Sequence, residues 1–150
     1  MKITSQEEYG LRCLLQLARV VQDQAVSVKE IATKEGLSSA YVEKLLRILA
    51  RVGLVHSMRG MKGGYVLNRP APSITLGEVV RALGTVQTTN HICQHFTGNQ
   101  RVCVHFSDCG LRSVWSGLTT YIQTFLDKTT LDSLLQPEYT VAERLTRRLR

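Results

Sequence analysis

Between Gly36 and Ser38 the sequence leaves a single residue, Leu37, in which the chain must end one amphipathic helix and begin another. Upstream, Ser27 with Glu30 three residues on makes a capping box, Val28, Ile31 and Ala32 form a short apolar face, and Gly36 supplies the stop. Downstream, Ser38 or Ser39 opens a run in which Val42, Leu45, Leu46 and Leu49 share one face before Gly53 ends it. Two short helices joined by a tight glycine-containing turn are the signature of a helix-turn-helix. After Gly53, the apolar pairs Leu54-Val55 and Tyr65-Val66-Leu67 flank Arg59-Gly-Met-Lys-Gly-Gly64, which reads as a two-stranded hairpin, and strands placed directly after a helix-turn-helix make a wing.

The rest of the chain is arranged around that unit. Thr4 and Ser5, each with a glutamate three residues later (Glu7, Glu8), offer two overlapping capping boxes for a first helix from about Ser5 to Val21. Pro70 and Pro72 mark the exit from the hairpin, and Thr75 with Glu78 caps a helix ending at Gly84. From Thr85 to Asp108 there is little apolar periodicity. Leu111, Val114, Trp115, Leu118, Tyr121, Ile122, Phe125 and Leu126 then recur at three- and four-residue intervals along one long helix. Because little chain is left to cover this stripe, part of it is expected to pack on the same helix of a second subunit about a two-fold axis. The end, Glu143-Arg-Leu-Thr-Arg-Arg-Leu-Arg150, reads as a solvated basic tail. The fold class is therefore mainly α: a winged helix-turn-helix over residues 1–72, a cysteine-bearing loop and long dimerisation helix over 73–135, and a tail over 136–150.

Charge is distributed to match. The chain carries +7, and residues 1–70 hold eleven Lys/Arg against six Asp/Glu while 71–150 hold eight against six. Most of the positive excess therefore lies on the helix-turn-helix, where a polyanion would bind. In the candidate recognition helix, Ser38, Ser39 and Tyr41 can reach phosphates or base edges, Glu43 can accept from cytosine N4, and Lys44 and Arg47 extend the basic face. Arg59 and Lys62 flank the wing glycines, from where arginine can enter a minor groove. No secretory h-region opens the chain and no apolar run approaches the ~20 residues of a membrane span, so a cytoplasmic protein is expected. No Ser-His-Asp arrangement, P-loop or G-x-G-x-x-G appears, and the chain is not read as an enzyme; an iron–sulfur electron carrier on the same scaffold is the rival reading from another class.

The cysteines carry the remaining chemistry. Cys93, Cys103 and Cys109 fall in one polar stretch with His91, His95 and His105, whereas Cys13 lies among the leucines of the first helix and reads as a small buried hydrophobe. In a reducing compartment, clustered thiols bind metal or do redox chemistry more often than they form structural disulfides. Three thiolates leave one ligand short of the four that both common iron–sulfur clusters require. Zinc in a Cys3His site, or a switch disulfide between Cys103 and Cys109, are the competing uses, although no C-x2–4-C pair of the structural-zinc kind is present.

The stretch Leu37-Ser-Ser-Ala-Tyr-Val-Glu-Lys-Leu-Leu, the following Gly53-Leu-Val, the wing sequence Arg59-Gly-Met-Lys-Gly-Gly-Tyr65 and the opening Met1-Lys-Ile-Thr-Ser with Glu8-Tyr9 resemble the Rrf-two family of bacterial winged-helix regulators over about residues 1–135. The resemblance implies a homodimer on a pseudo-palindromic operator in double-stranded DNA. It also implies one iron–sulfur cluster per subunit, [4Fe–4S] or [2Fe–2S], that senses redox state, nitric oxide, oxygen or cluster supply. By the same resemblance the DNA-contacting positions are Ser38, Tyr41, Glu43 and Arg59. The cysteine spacing, C-x9-C-x5-C, has a first interval four residues longer than the C-x5-C-x5-C common in the family. Arg112 stands where some members place a histidine ligand three residues after the last cysteine. Glu8 matches the position from which other members present a carboxylate, and is the implied fourth ligand, with His105 as the alternative. Read from its own neighbourhood, Glu8 is equally the third residue of a Ser5 capping box.

Overall fold

The computed structural model describes residues 3–21, 24–60, 63–84 and 97–148; Lys62, His91, Cys93 and His95 lie outside them. Helix α1 (Ser5–Ala18) packs across the pair α2 (Val28–Glu35) and α3 (Ser39–Arg51). The antiparallel hairpin β1 (Val55–Met58) and β2 (Gly64–Leu67) follows, with Val55 opposite Leu67 and Met58 opposite Gly64. Then come a 3-10 turn over Ala71–Ser73, helix α4 (Leu76–Leu83), the long α5 (Gly110–Asp127), a second 3-10 turn over Leu131–Leu135 and a final α6 (Glu138–Arg148).

The local chemistry explains these boundaries. Gly36 caps α2 with φ of 66°, a left-handed conformation in which a Cβ is strained, and Ser38 accepts the Tyr41 N–H at 3.3 Å to begin α3. The capping box of α1 is Thr4 with Glu7: the Glu7 carboxylate takes the Thr4 N–H at 2.7 Å. Ser5 is already helical, so the expected Ser5–Glu8 box does not form, and the Glu8 side chain is exposed. Helix α1 also stops at Ala18 and not at Val21, because the chain must turn back for Val26 to bridge Tyr65, a third rung beside the wing. At α4, Glu78 accepts the Thr75 N–H and pairs with Arg69; these contacts, the Thr75 amide above all, hold its carboxyl below the usual range.

One core unites α1 to α4 and the wing base, with Leu14, Ile31, Val42, Leu45, Leu46, Leu49, Val55, Ile74 and Val79 fully buried. The last turns of α5 join it. Arg81 pairs with Asp127 at 2.8 Å, the Leu76 N–H donates to Thr129 O, the Leu131 N–H donates to Ile74 O, and Leu131 is buried. The first turns of α5 are not covered: Leu111, Val114, Trp115, Leu118 and Tyr121 are all exposed. Residues 138–148, expected as a solvated basic tail, form a helix. Val141 and Leu145 lie four apart, are half-buried, and the helix carrying them packs on the 131–135 turn, while most of its other side chains stay in solvent as the charge pattern implies.

Candidate nucleic-acid interface and cysteine loop

The outward side of α3 presents Ser38, Ser39, Ala40, Lys44, Arg47 and Arg51, all exposed. Spacing builds this face: the four apolar positions that bury α3 leave 40, 44, 47 and 51 on the opposite side of a 3.6-residue repeat. Ser38 uses its oxygen as a cap and keeps its hydroxyl proton for another acceptor. Glu43 and Arg47 form an ion pair at 2.6 Å on the exposed surface, worth ~0.3–0.5 kcal/mol as an i,i+4 pair and therefore easily exchanged for an outside partner. Arg59 follows β1 at the tip of the wing, exposed, next to Gly60 at φ of 122°. Among the described residues Lys29, Lys44, Arg51 and Arg59 have no ion-pair partner, so α2, α3 and the wing all contribute uncompensated positive charge. Lys29 and Arg51 escaped the sequence reading; Arg51 was detectable as the residue seven after Lys44 on the same face.

Tyr41 is set differently from its neighbours. Half-buried, it meets Tyr9 of α1 edge to face, with ring centroids 6.1 Å apart and planes at 81°. Arg12 lies over the other ring, its Cζ 5.5 Å from the Tyr9 centroid, and donates from Nε to Glu35 of α2 at 2.6 Å. That bond raises the Arg12 pKa above its usual value. Glu35 also accepts from the Gln16 amide, so this largely buried carboxylate has both oxygens engaged. Through this network the first two turns of α1 grip the start of the recognition helix.

The same turns hold the end of α4. The Gln6 amide donates to Leu83 O, and Gly84 lies so close to the Glu7 carboxylate that any Cβ there would overlap it. Gln6 and Glu7 are thus adjacent to the point at which the chain leaves α4, with Glu8 the next residue along α1 and exposed. At the far end, Cys103 and Cys109 are free and half-buried, Cys109 is the N-cap of α5, and its side chain makes no capping bond. His105 is exposed. Two soft donors within seven residues, with a third thiol at Cys93 outside the described residues and an exposed carboxylate at Glu8, suit iron–sulfur or zinc. No three of the described His, Cys, Asp or Glu residues converge.

Cys13 is no part of this set. It is fully buried in the core, and desolvation pushes its thiol up to about 12. In the native protein at pH 8, iodoacetamide is expected to label Cys103 and Cys109 while leaving Cys13 unmodified until denaturant is added, read by peptide mass spectrometry. The folded value lies above the ~8.5 of an unfolded thiol, so the stability tied to keeping Cys13 protonated is full below that pH and is lost as pH rises toward 12. Cys13→Ala should flatten that part of the alkaline unfolding curve.

A trihelical core with a basic recognition face and a basic β-wing defines a winged-helix reader of double-stranded DNA. Among the described residues no helix is long and apolar enough to cross a membrane. Residues 3–137 match the family model described as Rrf2, iron-dependent transcriptional regulator. Protein rrf2 of Nitratidesulfovibrio vulgaris is 33% identical over 136 residues, covering 91% of this chain and 88% of that protein. The regulator IscR of Yersinia pseudotuberculosis is 34% identical over 136 residues, covering 90% and 79%. The solved structure of CymR, the global cysteine regulator of B. subtilis, superposes with a TM-score of 0.73 at 31% identity over 90% of this chain and 96% of that one. The chain belongs to the Rrf2 family of DNA-binding transcription regulators, and α6 begins where the family match ends.

Proposed function

We propose that the protein is a homodimeric regulator whose operator binding is gated by an iron–sulfur cluster held by Cys93, Cys103 and Cys109, with Glu8 of the opposite subunit as fourth ligand. The observation that carries this reading is that one short stretch of α1, residues 6–12, touches both halves of the molecule. Gln6 and Glu7 pin Leu83 and Gly84 before the cysteine loop, and Tyr9 and Arg12 pin Tyr41 and Glu35 in the helix-turn-helix. Glu8 lies between them in the sequence with its carboxylate exposed; Glu7 does the capping, and the Glu8 charge acts on Arg12 one turn further on. When bound, the cluster supplies a redox state and an exchangeable iron position as the signal. The residues of this chain do the rest: a pull on Glu8 turns α1, and α1 moves Tyr41 against the DNA.

On the DNA side, Ser38, Ser39, Tyr41 and Glu43 read base edges and phosphates, while Lys29, Lys44, Arg47, Arg51, Arg59 and Lys62 neutralise the backbone. Arg59→Ala is expected to weaken operator binding several-fold and to reduce the slope of log K against log salt by about one, with any cofactor spectrum unchanged. An unchanged slope would remove the wing from the interface. A coupling of about 1–3 kcal/mol corresponds to a roughly 5- to 150-fold change in operator affinity between states. Tyr9→Leu is expected to collapse most of that ratio, measured by fluorescence anisotropy, while leaving cofactor content intact; a ratio equal to wild type would exclude the Tyr9–Tyr41 contact as the link.

A second reading uses the same loop as a thiol switch, because Cys103 and Cys109 are both free and partly exposed on one short turn. Anaerobic native mass spectrometry of the freshly isolated protein separates the two. Iron and sulfide mass on each subunit of a dimer, absent in Cys103→Ala, supports the cluster; a dimer two protons lighter per disulfide, or carrying zinc, replaces it.

A further inference from the structure

Arg112 sits in the first turn of α5, a place where the helix dipole disfavours a cation and where no acidic residue compensates it. Several contacts nevertheless hold it in place. The guanidinium donates to His105 O at 3.3 Å and to Phe106 O, and its Cζ lies 5.5 Å from the Phe106 ring centroid. The Phe106 N–H donates in turn to Cys103 O at 3.0 Å, and the Arg112 N–H to Cys109 O at 3.1 Å. One side chain therefore ties together the turn that begins at Cys103 and the helix end that begins at Cys109. Its Nε is buried and has no acceptor, an arrangement that leaves a polar group without its bond unless something else supplies one.

We propose that Arg112 is the positioning residue of the thiol-bearing turn. It folds residues 103–109 onto the end of α5 before any group binds, and its Nε–H is the donor offered to a sulfur, either a cysteine thiolate or a sulfide of the bound group. This rests on the cluster reading above for the identity of that group, but not for the folding of the turn. Both carbonyls are held by Nη2 alone; lysine keeps the charge yet lacks the Nε–H and the planar face that lies over Phe106, so it cannot make the same set of contacts. Glutamine loses the charge as well.

Two measurements on the full-length protein test the assignment. In the metal-free, reduced protein, amide exchange at Phe106 is expected to be about tenfold slower in wild type than in Arg112→Lys or Arg112→Gln, with core amides of α1 to α4 unchanged as proof of folding. Equal exchange at Phe106 in all three overturns the proposal. After anaerobic reconstitution with iron and sulfide, Arg112→Lys is expected to shift the cysteine-to-iron absorption and circular dichroism bands and to lower the midpoint potential, because N–H···S bonds tune that potential. Wild-type bands and potential in the variant would reduce Arg112 to a scaffold and overturn the donor role. If wild type takes up no cluster but Phe106 protection still depends on Arg112, the positioning role stands and the cluster reading fails.

Discussion

Leu118→Glu is expected to leave the protein monomeric at micromolar concentration, where the proposed wild type is a dimer, and to weaken operator binding by at least ~100-fold. The reason lies in α5. Trp115 and Leu118 remain 49% and 48% exposed in the single chain, and with Leu111, Val114 and Tyr121 they form one continuous stripe along the first three turns. Full burial of a side chain of this size is worth ~1.5–3 kcal/mol, and with half to two-thirds of each still exposed these contribute roughly 1–2 kcal/mol each, enough for five per copy to offset the cost of association. A glutamate in the middle of the stripe would meet its symmetry mate near the two-fold axis, and an unpaired charge buried in this way costs ~3–5 kcal/mol. Each monomer would then have to hold a half-site alone. Analytical ultracentrifugation reads the dissociation, and a Leu118→Glu protein that stays dimeric would place the interface elsewhere.

The second large effect is expected from Cys103→Ala. With one of three thiolates gone, the ratio of operator affinities between cofactor-loaded and chelator-treated protein should fall from the roughly 5- to 150-fold range to about one. Cys13→Ala should keep the full ratio, since Cys13 is sealed in the core. The comparison separates loss of a ligand from loss of a cysteine. A response retained in Cys103→Ala would show that the loop does not carry the signal.

The winged helix was legible because its determinants are local. Serine caps, the glycine at 36, the four-residue apolar spacing of α3 and the glycine-rich hairpin each act within a few residues, and all point to the same fold. The stripe on α5 was legible for the same reason, as was Cys13 among its leucines. What failed also has a local cause. Thr4 and Ser5 compete for the same first turn with equal chemistry, and only the seat of Glu7 against Gly84 selects the Thr4 box. The final helix was missed because its charges outnumber its two useful apolar residues, Val141 and Leu145, whose partner is a turn formed at 131–135. Arg112 could be noted in the sequence only as a departure from a ligand; its grip on His105 and Phe106 appears when the turn closes on α5.

By itself, then, the sequence determined which segments are helical, which faces are apolar, where positive charge collects and which thiols are available, because each depends on periodicity, capping and composition within one or two turns. Only the tertiary structure decided that Tyr9 meets Tyr41, that Gln6 and Glu7 hold the end of α4, and that Arg112 reaches the carbonyls of His105 and Phe106. These contacts join residues brought together by the burial of a shared core, and no local rule specifies which two side chains will face each other once that core has formed.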